Sequence, residues 1–378
     1  MPVSAMNIKT AIDISLERIR NNIAVFAEQF PYVGEGNAYR LGNNDHWMSS
    51  FWTGELWLSY MMTGDATYRD AAQRHLASFR HRLQNNVDIS HDVGFLYSLS
   101  ARAEWQLTGN EAAHQLALDA ADALMGRFHE KGSYIQAWGA VGDPDEGGRF
   151  IIDCMMNIPL LYWAGHRTGD QRYIDVANRH ASTNMNYIVR EDGSSAHTFF
   201  MNQVTGEPIG QRTHQGYADD SLWSRGQAWA INGFAIAYDW TRNDAFLQTA
   251  RRTADRYLAE ISTDYVPLWD FRLPDGANPI RDASANAISA MGLLRLARLI
   301  DEVEVSRYYA DQAEKLMDAL LQVAFDTAVE NIEGLLKDST YNARNPKYSE
   351  HYTLFGDYFF LEALLHLDGK LIEFWGRP

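Results

Sequence analysis

One punctuation mark recurs along the chain, and any fold must satisfy every copy of it. It appears in "YMMTGDATYRDAAQRHLASF" from Tyr60, "WQLTGNEAAHQLALDAADAL" from Trp105 and "GHRTGDQRYIDVANRHASTN" from Gly165. Looser copies follow in "DWTRNDAFLQTARRTADRYL" from Asp239 and "RLIDEVEVSRYYADQAEKLM" from Arg298. Each copy reads as a helix end, a tight turn with Gly, Asn or Asp, and a second helix capped by Asp or Asn. Repetition of this kind marks folds whose units bury their apolar faces against one another.

The helices on the two sides of the turn differ in kind. After it they are amphipathic: Tyr68, Ala72, Leu76, Phe79 and Leu83 step by four or three, with Arg69, Arg74, Arg80 and Arg82 between them. Before it they are apolar or small nearly all round, as in "FWTGELWLSYMM", "VGFLYSLSARAEWQL", "DCMMNIPLLYWAG", "GQAWAINGFAIAYDW" and "ASANAISAMGLLRLA". A helix apolar on every face lies inside. With "FGDYFFLEALLHL" near the C-terminus and the amphipathic "AIDISLERIRNNIAVFAEQF" near the N-terminus, the pattern predicts six inner and six outer helices. The expectation is an all-α (α/α)6 barrel of six helical hairpins, a single domain over residues 1–378. Short runs near "YIVREDGSSAHTFFMN" and "VPLWDFRLP" are expected to form hairpins within loops.

This topology also locates a mouth. The outer-to-inner connections are long and rich in polar and aromatic residues, whereas the inner-to-outer turns are short. All inner helices therefore begin at one end, where long loops carry the diversity that function requires. Converging helix N-termini supply partial positive charge, which favours an anionic ligand.

Composition narrows the partners. A formal charge of −16 with no dense Lys/Arg stripe argues against nucleic acid. No apolar run is long enough to span a bilayer, and the N-terminus has no basic patch followed by an apolar stretch. The single cysteine, Cys154, excludes an internal disulfide and fits a reducing compartment, so a cytoplasmic location is expected. The 11 Trp, 19 Tyr and 17 Phe suit either a wide core or a saccharide site, where aromatic faces cover pyranose rings. There is no HExxH, CxxC, P-loop or dinucleotide glycine signature, and "GDPDEGG" lacks the final Glu of a calcium loop. No metal or organic cofactor is implied.

Every inner helix has an Asp within reach of its start: Asp45, Asp92, Asp153, Asp282 and Asp357, with Asp219 and Asp220 before the fourth. Asp is a preferred N-cap, and that is the expected role of Asp45, Asp282 and Asp357. Asp92 and Asp153 keep different company. The first lies between His91 and "VGF", the second between "FII" and "CMM". Both head adjacent inner helices in apolar settings, so they are expected to approach across the mouth. Two carboxylates held together in low dielectric cannot both ionise easily, so one should hold a proton near neutral pH and serve as a general acid.

At these residues the chain resembles the unsaturated glucuronyl hydrolases, (α/α)6-barrel glycoside hydrolases acting on oligosaccharides released by polysaccharide lyases. The matching stretches are "HDVGFLYSLSA", "IQAWG", "GDPDEGGRFIIDC", "HTFF", "THQG", "WSRGQAWA" and "GDYFFLEALL", in order over nearly the whole chain. The resemblance implies that Asp153 is the general acid and base and Asp92 its partner. It further implies that His197, Gln215 and Arg225 line the subsite for the unsaturated uronate, with Arg225 facing its carboxylate. Trp47, Trp138 and Trp229 offer stacking surface, with His91 and Trp223 as neighbours, and core packing stands as the alternative for these aromatics. The implied substrate is an unsaturated di- or oligosaccharide.

The segment 337–353 is a long polar loop before the sixth inner helix, in which Lys337, Arg344, Lys347 and Ser349 either meet a sulfate on the second sugar or are simply solvated. Two rival readings stand beside the hydrolase: the related unsaturated rhamnogalacturonyl hydrolases, acting on pectin fragments, and a non-catalytic helical toroid that binds saccharide or protein.

Overall fold

The computed structural model describes residues 7–327, 331–370 and 374–377; residues 1–6 of the N-terminal stretch lie outside it. Outer helices run over Ile8–Phe26, Ala66–Gln84, Glu111–Met125, Gln171–Tyr187, Asp244–Glu260 and Val303–Val323. Inner helices run over Ser49–Thr63, residues 93–108, Pro159–Thr168, Ser224–Thr241, Ala283–Leu299 and Leu354–Leu367. The two kinds alternate, and the sixth inner helix packs on both the first inner helix and the N-terminal outer helix. The (α/α)6 ring is thereby closed, around an apolar core that runs from Ala11 to Trp375.

The repeat is visible in the turns. Gly64, Gly109 and Gly169 close the first three inner helices in the left-handed conformation, each donating its N–H to the carbonyl four residues back. Asp65, Asn110, Asp170 and Asn243 then accept from the backbone N–H of Thr67, Ala112, Arg172 and Ala245. Each cap is worth about 1 kcal/mol. In the fourth copy Arg242 takes the left-handed place with φ 55°, and in the fifth Glu302 makes no side-chain cap.

Three local expectations need correction. The third inner segment is not one helix: Ile152–Met156 forms a 3-10 turn and the α-helix starts at Pro159. Proline has no N–H to lose at a first turn, and its fixed φ suits that position. The second inner helix is interrupted by a π-turn over Ser98–Arg102. Arg82, expected to face solvent, is buried, because its guanidinium donates to Asn44 Oδ1 and to the carbonyls of His46, Val87 and Asp88. It fastens the second outer helix to the loops at the mouth.

The hairpins also differ. Of the run 187–202, Thr198–Met201 is the central strand of an antiparallel sheet with Arg149–Ile151 and Pro208–Arg212, and Val189 makes a single bridge to Ser195. "VPLWDFRLP" forms no hairpin of its own; Leu268 bridges to Arg281 and Asp270 to Trp223. A further hairpin, Phe30–Glu35 with Ala38–Gly42, was not foreseen. These three strand systems all lie on outer-to-inner connections, at the mouth end.

Candidate active site

Two carboxylates face one cavity of about 250 Å³ at the mouth. Asp92 precedes the second inner helix but does not cap it; its Oδ2 accepts from the Ser90 hydroxyl at 2.9 Å. Asp153, 7% exposed, sits in the 3-10 turn, and its Oδ2 has no hydrogen-bond partner among the described residues. The two are held together by a backbone approach that the sequence reading missed. Gly94 lies so close to the 3-10 turn that a Cβ would fall 2.3 Å from Asn157 Cα, and Phe95 N donates to Asn157 Oδ1 at 2.6 Å. Only glycine allows the second and third inner segments to meet this tightly.

Burial raises the Asp153 carboxyl from 3.8 to about 7; Arg225 opposes the shift and the neighbouring Asp92 adds to it. The indole N–H of Trp229 faces the same carboxyl and favours its ionised form, without a hydrogen bond of ordinary geometry. The result is a carboxyl that holds its proton up to neutral pH, as the apolar setting of "FIIDCMM" suggests.

His197 stands beside this acid, with Nε2 3.8 Å from Asp153 Oδ2. Its tautomer follows from its partners. Nδ1 accepts from the backbone N–H of His214 and Gln215, at 3.0 and 3.1 Å, so the ring proton is on Nε2 and points at the carboxyl. Burial and nearby His214 and Arg225 hold the ring well below its usual value, and hence neutral.

Trp47, His91, Trp138, Gln215 and His214 line the cavity with the two acids, as do Ile151, Tyr341 and Asn342. His91 is fully buried and kept neutral by desolvation, its Nε2 3.4 Å from Asp92 Oδ1. Trp47 stacks on Phe355 at 5.2 Å, and Trp138 packs edge-on against His214 at 5.1 Å. Gln215 is tied down, donating from Nε2 to the Tyr341 carbonyl. Tyr341 and Asn342 belong to the 337–353 loop, and composition alone did not single them out from its polar residues.

Three expected site residues lie behind the wall. Arg225 is fully buried, stacked between Trp223 and Phe355 at 4.5 and 4.6 Å. Its Nη2 donates to the carbonyls of Thr340 and Tyr341, and its Nε lies 3.5 Å from Asp282 Oδ2. Nη1 has no partner among the described residues. Trp223 packs on the His197 ring at 4.5 Å and Trp229 on Phe95 and Phe359, so both support the site from the core side.

The caps divide. Asp282 caps the fifth inner helix through Ser284 N and also accepts from Thr340 N. Asp45 does not cap: the first inner helix begins after Met48, and the Asp45 side chain is half exposed. Asp357 lies inside the first turn of the sixth inner helix and instead accepts from the Tyr39 hydroxyl and the backbone N–H of Leu335 and Leu336. Of the four loop residues, Arg344 is bound to the carbonyls of Gly216 and Tyr217, Lys337 to Asp326, and Ser349 to the Pro346 carbonyl, while the Lys347 ammonium lies over the Tyr348 ring.

Comparison with known proteins agrees with this fold. The model of Glycosyl Hydrolase Family 88 matches residues 24–361. An unsaturated glucuronyl hydrolase from Bacillus sp. (strain GL1) is 44% identical over 97% of this chain and 98% of its own. The crystal structure of the unsaturated glucuronyl hydrolase from Bacillus sp. GL1, described as responsible for the degradation of glycosaminoglycan, aligns with a TM-score of 0.95. That alignment covers 98% of this chain and 99% of the other, at 43% identity. An unsaturated chondroitin disaccharide hydrolase from Streptococcus pyogenes serotype M1 is 35% identical over 99% of this chain and 94% of its own. A barrel that brings a protonated acid and a second carboxylate to one small cavity thus has relatives along almost its whole length, and the chain belongs to glycosyl hydrolase family 88.

Proposed function

We propose that this glycoside hydrolase removes the 4,5-unsaturated uronic acid from the non-reducing end of lyase-generated oligosaccharides of the glycosaminoglycan type. The supporting observation is Asp153: a buried carboxyl, protonated up to about pH 7, facing a one-sugar cavity with a free Oδ2. Such a group can protonate an enol ether. Transfer of its proton to C4 leaves an oxocarbenium-like centre at C5, which water attacks. The carboxylate so formed takes a proton from that water, restoring the acid. The hemiketal product opens, and the remaining saccharide departs with the old glycosidic oxygen.

The neighbours have distinct parts in this scheme. Asp92 raises the acid through its charge and, across the cavity, faces the developing cation. The Nε2–H of His197 orients the Asp153 carboxyl, and Trp47 and Trp138 cover the faces of the sugar. Arg225, behind the wall, supplies positive charge at the end where the uronate carboxylate would lie. The two-carboxylate geometry of ordinary glycosidases, flanking an anomeric bond, is not required. The whole chain acts as a single catalytic domain, supported by its continuous core. Among the described residues no helix is long and apolar enough to cross a membrane. The one cysteine, buried and unpaired, suits a cytoplasmic site of action.

The test follows loss of the substrate's double-bond ultraviolet absorbance with unsaturated disaccharides from hyaluronan, chondroitin sulfates, heparin and pectin. Turnover of the glycosaminoglycan set is expected. A preference for pectin would move the reading to the rhamnogalacturonyl hydrolases, and no turnover of any would remove it.

A further inference from the structure

The catalytic cavity holds little more than one sugar, so the saccharide that leaves must extend past its rim. Two clefts adjoin it, and their charges differ. The larger, about 760 Å³, shares Trp47, Asp92 and Trp138 with the cavity and carries the carboxylates of Asp88 and Asp92. Its one cation among the described residues, Arg127, already donates to the carbonyls of Gln136, Ile89, Ala137 and Gly139. The smaller, about 420 Å³, shares His214 with the cavity and carries Arg149 and Arg212.

This second cleft lies on one face of the three-stranded sheet. Arg149 pairs with Phe200 and Phe200 with Gly210; Ile151 pairs with Thr198 and Thr198 with Arg212. Directly paired residues share a face, so all six present the same side. Ile151, two residues before Asp153, is a wall of the catalytic cavity. The sheet therefore continues the floor of that cavity outward. Opposite Phe200 the floor is left open by Gly210, at φ 150°, where a Cβ would meet nothing closer than Arg212 Nη1 at 3.8 Å. Phe200 and the exposed Ile209 give it an apolar centre.

Two buried donors in the cleft have no partner among the described residues: the hydroxyl of Thr198, 1% exposed, and Nε of Arg149. Acidic groups are also near. Glu146 is 2.8 Å from Arg149 Nη1, which leaves Arg149 Nε unused, and Asp219 is 3.9 Å from Arg212 Nε. The latter pair is long and more than half exposed at both ends, so it is weak and easily exchanged for a ligand. In a chain of net charge −16, a cleft beside the reacting centre whose own lining carries two guanidiniums and no carboxylate is locally less acidic than its neighbour.

We propose that this sheet face is a second binding site, one that takes an oxyanion, sulfate or carboxylate, carried by the leaving saccharide, with the sugar ring over Phe200 and Ile209. The inference rests on the hydrolase reading above. Charge directs anionic substrates to this cleft and away from the one lined by Asp88 and Asp92; a neutral leaving sugar gains nothing from it.

The experiment compares kcat/KM of wild type, Arg212→Ser and Ile209→Glu on three unsaturated substrates: an unsulfated disaccharide, a sulfated disaccharide, and an unsulfated tetrasaccharide with a carboxylate on its third sugar. Both positions are exposed, so folding is not at issue; circular dichroism and Tm verify it. Each variant should lower kcat/KM by about tenfold on an anionic-aglycone substrate, as for loss of one charged hydrogen bond, and leave the unsulfated disaccharide within about twofold. A loss confined to the sulfated disaccharide identifies a sulfate ligand, and one confined to the tetrasaccharide identifies the carboxylate; either supports the site. Equal effects on all three substrates, or none on any, would overturn it while leaving the hydrolase standing. If wild type turns over none of the three, the hydrolase reading falls and this site with it.

Discussion

Replacing Asp153 with Asn should stabilise the protein in a pH-dependent way while abolishing turnover, an unusual combination that separates an acid held for chemistry from a structural cap. The carboxyl titrates at about 7 in the folded chain and at 3.8 when unfolded. A raised folded pKa means that the group's contribution is most favourable below pH 3.8 and is lost as pH rises to 7. The difference of about three pH units, at about 1.4 kcal/mol each, is a penalty of about 4 kcal/mol on the alkaline side. About 3 kcal/mol of it develops between pH 5 and pH 8.5, relative to an uncharged Asn. A chain of 378 residues unfolds with an entropy of about 0.8 kcal/mol/K, so this corresponds to a Tm gap about 3 °C wider at pH 8.5 than at pH 5. Scanning calorimetry of wild type and Asp153→Asn at both pH values, at one scan rate, measures it, and only the change in the gap counts, because the substitution's pH-independent effects cancel. Parallel Tm profiles would show that Asp153 is ionised in the fold and that the general-acid argument is wrong.

On the proposed mechanism the acid form of Asp153 is the reactive one, so kcat/KM should be flat below pH 7 and fall about tenfold per pH unit above it. Asp92→Asn removes a charge that raises the acid, so in its residual activity that descending limb should move to lower pH. Gly94→Ala drives a methyl into the Asn157 backbone; it should destabilise by about 1–3 kcal/mol and, by displacing the two carboxylates, lower kcat by about a hundredfold, read in Tm and initial rates. Asp282→Ala leaves the Arg225 guanidinium buried without its carboxylate, a loss of about 3–5 kcal/mol that a melting curve would show as a marked drop in Tm.

Much of this architecture is legible in the sequence because helix periodicity and turn chemistry are local. The turn glycine and the Asp or Asn after it in each of the first three copies of the repeat do what their residue types predict, and the all-round apolar segments are indeed inner. What escaped notice depends on contacts between segments distant in the chain. Arg82 looks like a solvent-facing charge until four loop residues fold around it. Trp223, Trp229 and Arg225 carry the right chemistry, but whether an aromatic or a guanidinium lines a cavity or backs it is a matter of one helical turn and of the loop laid over it. Gly94 and Asn157, which set the spacing of the two acids, look like ordinary inner-helix residues because a close backbone approach leaves no trace in periodicity. Asp153 itself was placed correctly at the mouth but in the wrong element, since the start of the α-helix was masked by the apolar run before Pro159.

The locked tautomer of His197 has a consequence for inhibition. With Nδ1 taken by two backbone N–H groups, and with His91 and His214 also driven toward neutrality, none of the three imidazoles beside the acid lends positive charge near neutral pH. A cationic iminosugar shaped like the uronate, its nitrogen at the place of C5, would therefore meet no opposing imidazolium. It would bind more tightly once Asp153 has lost its proton. Affinity for such a compound should rise above pH 7 over the same range in which turnover declines, so the best inhibitor and the best substrate would prefer opposite states of one carboxyl.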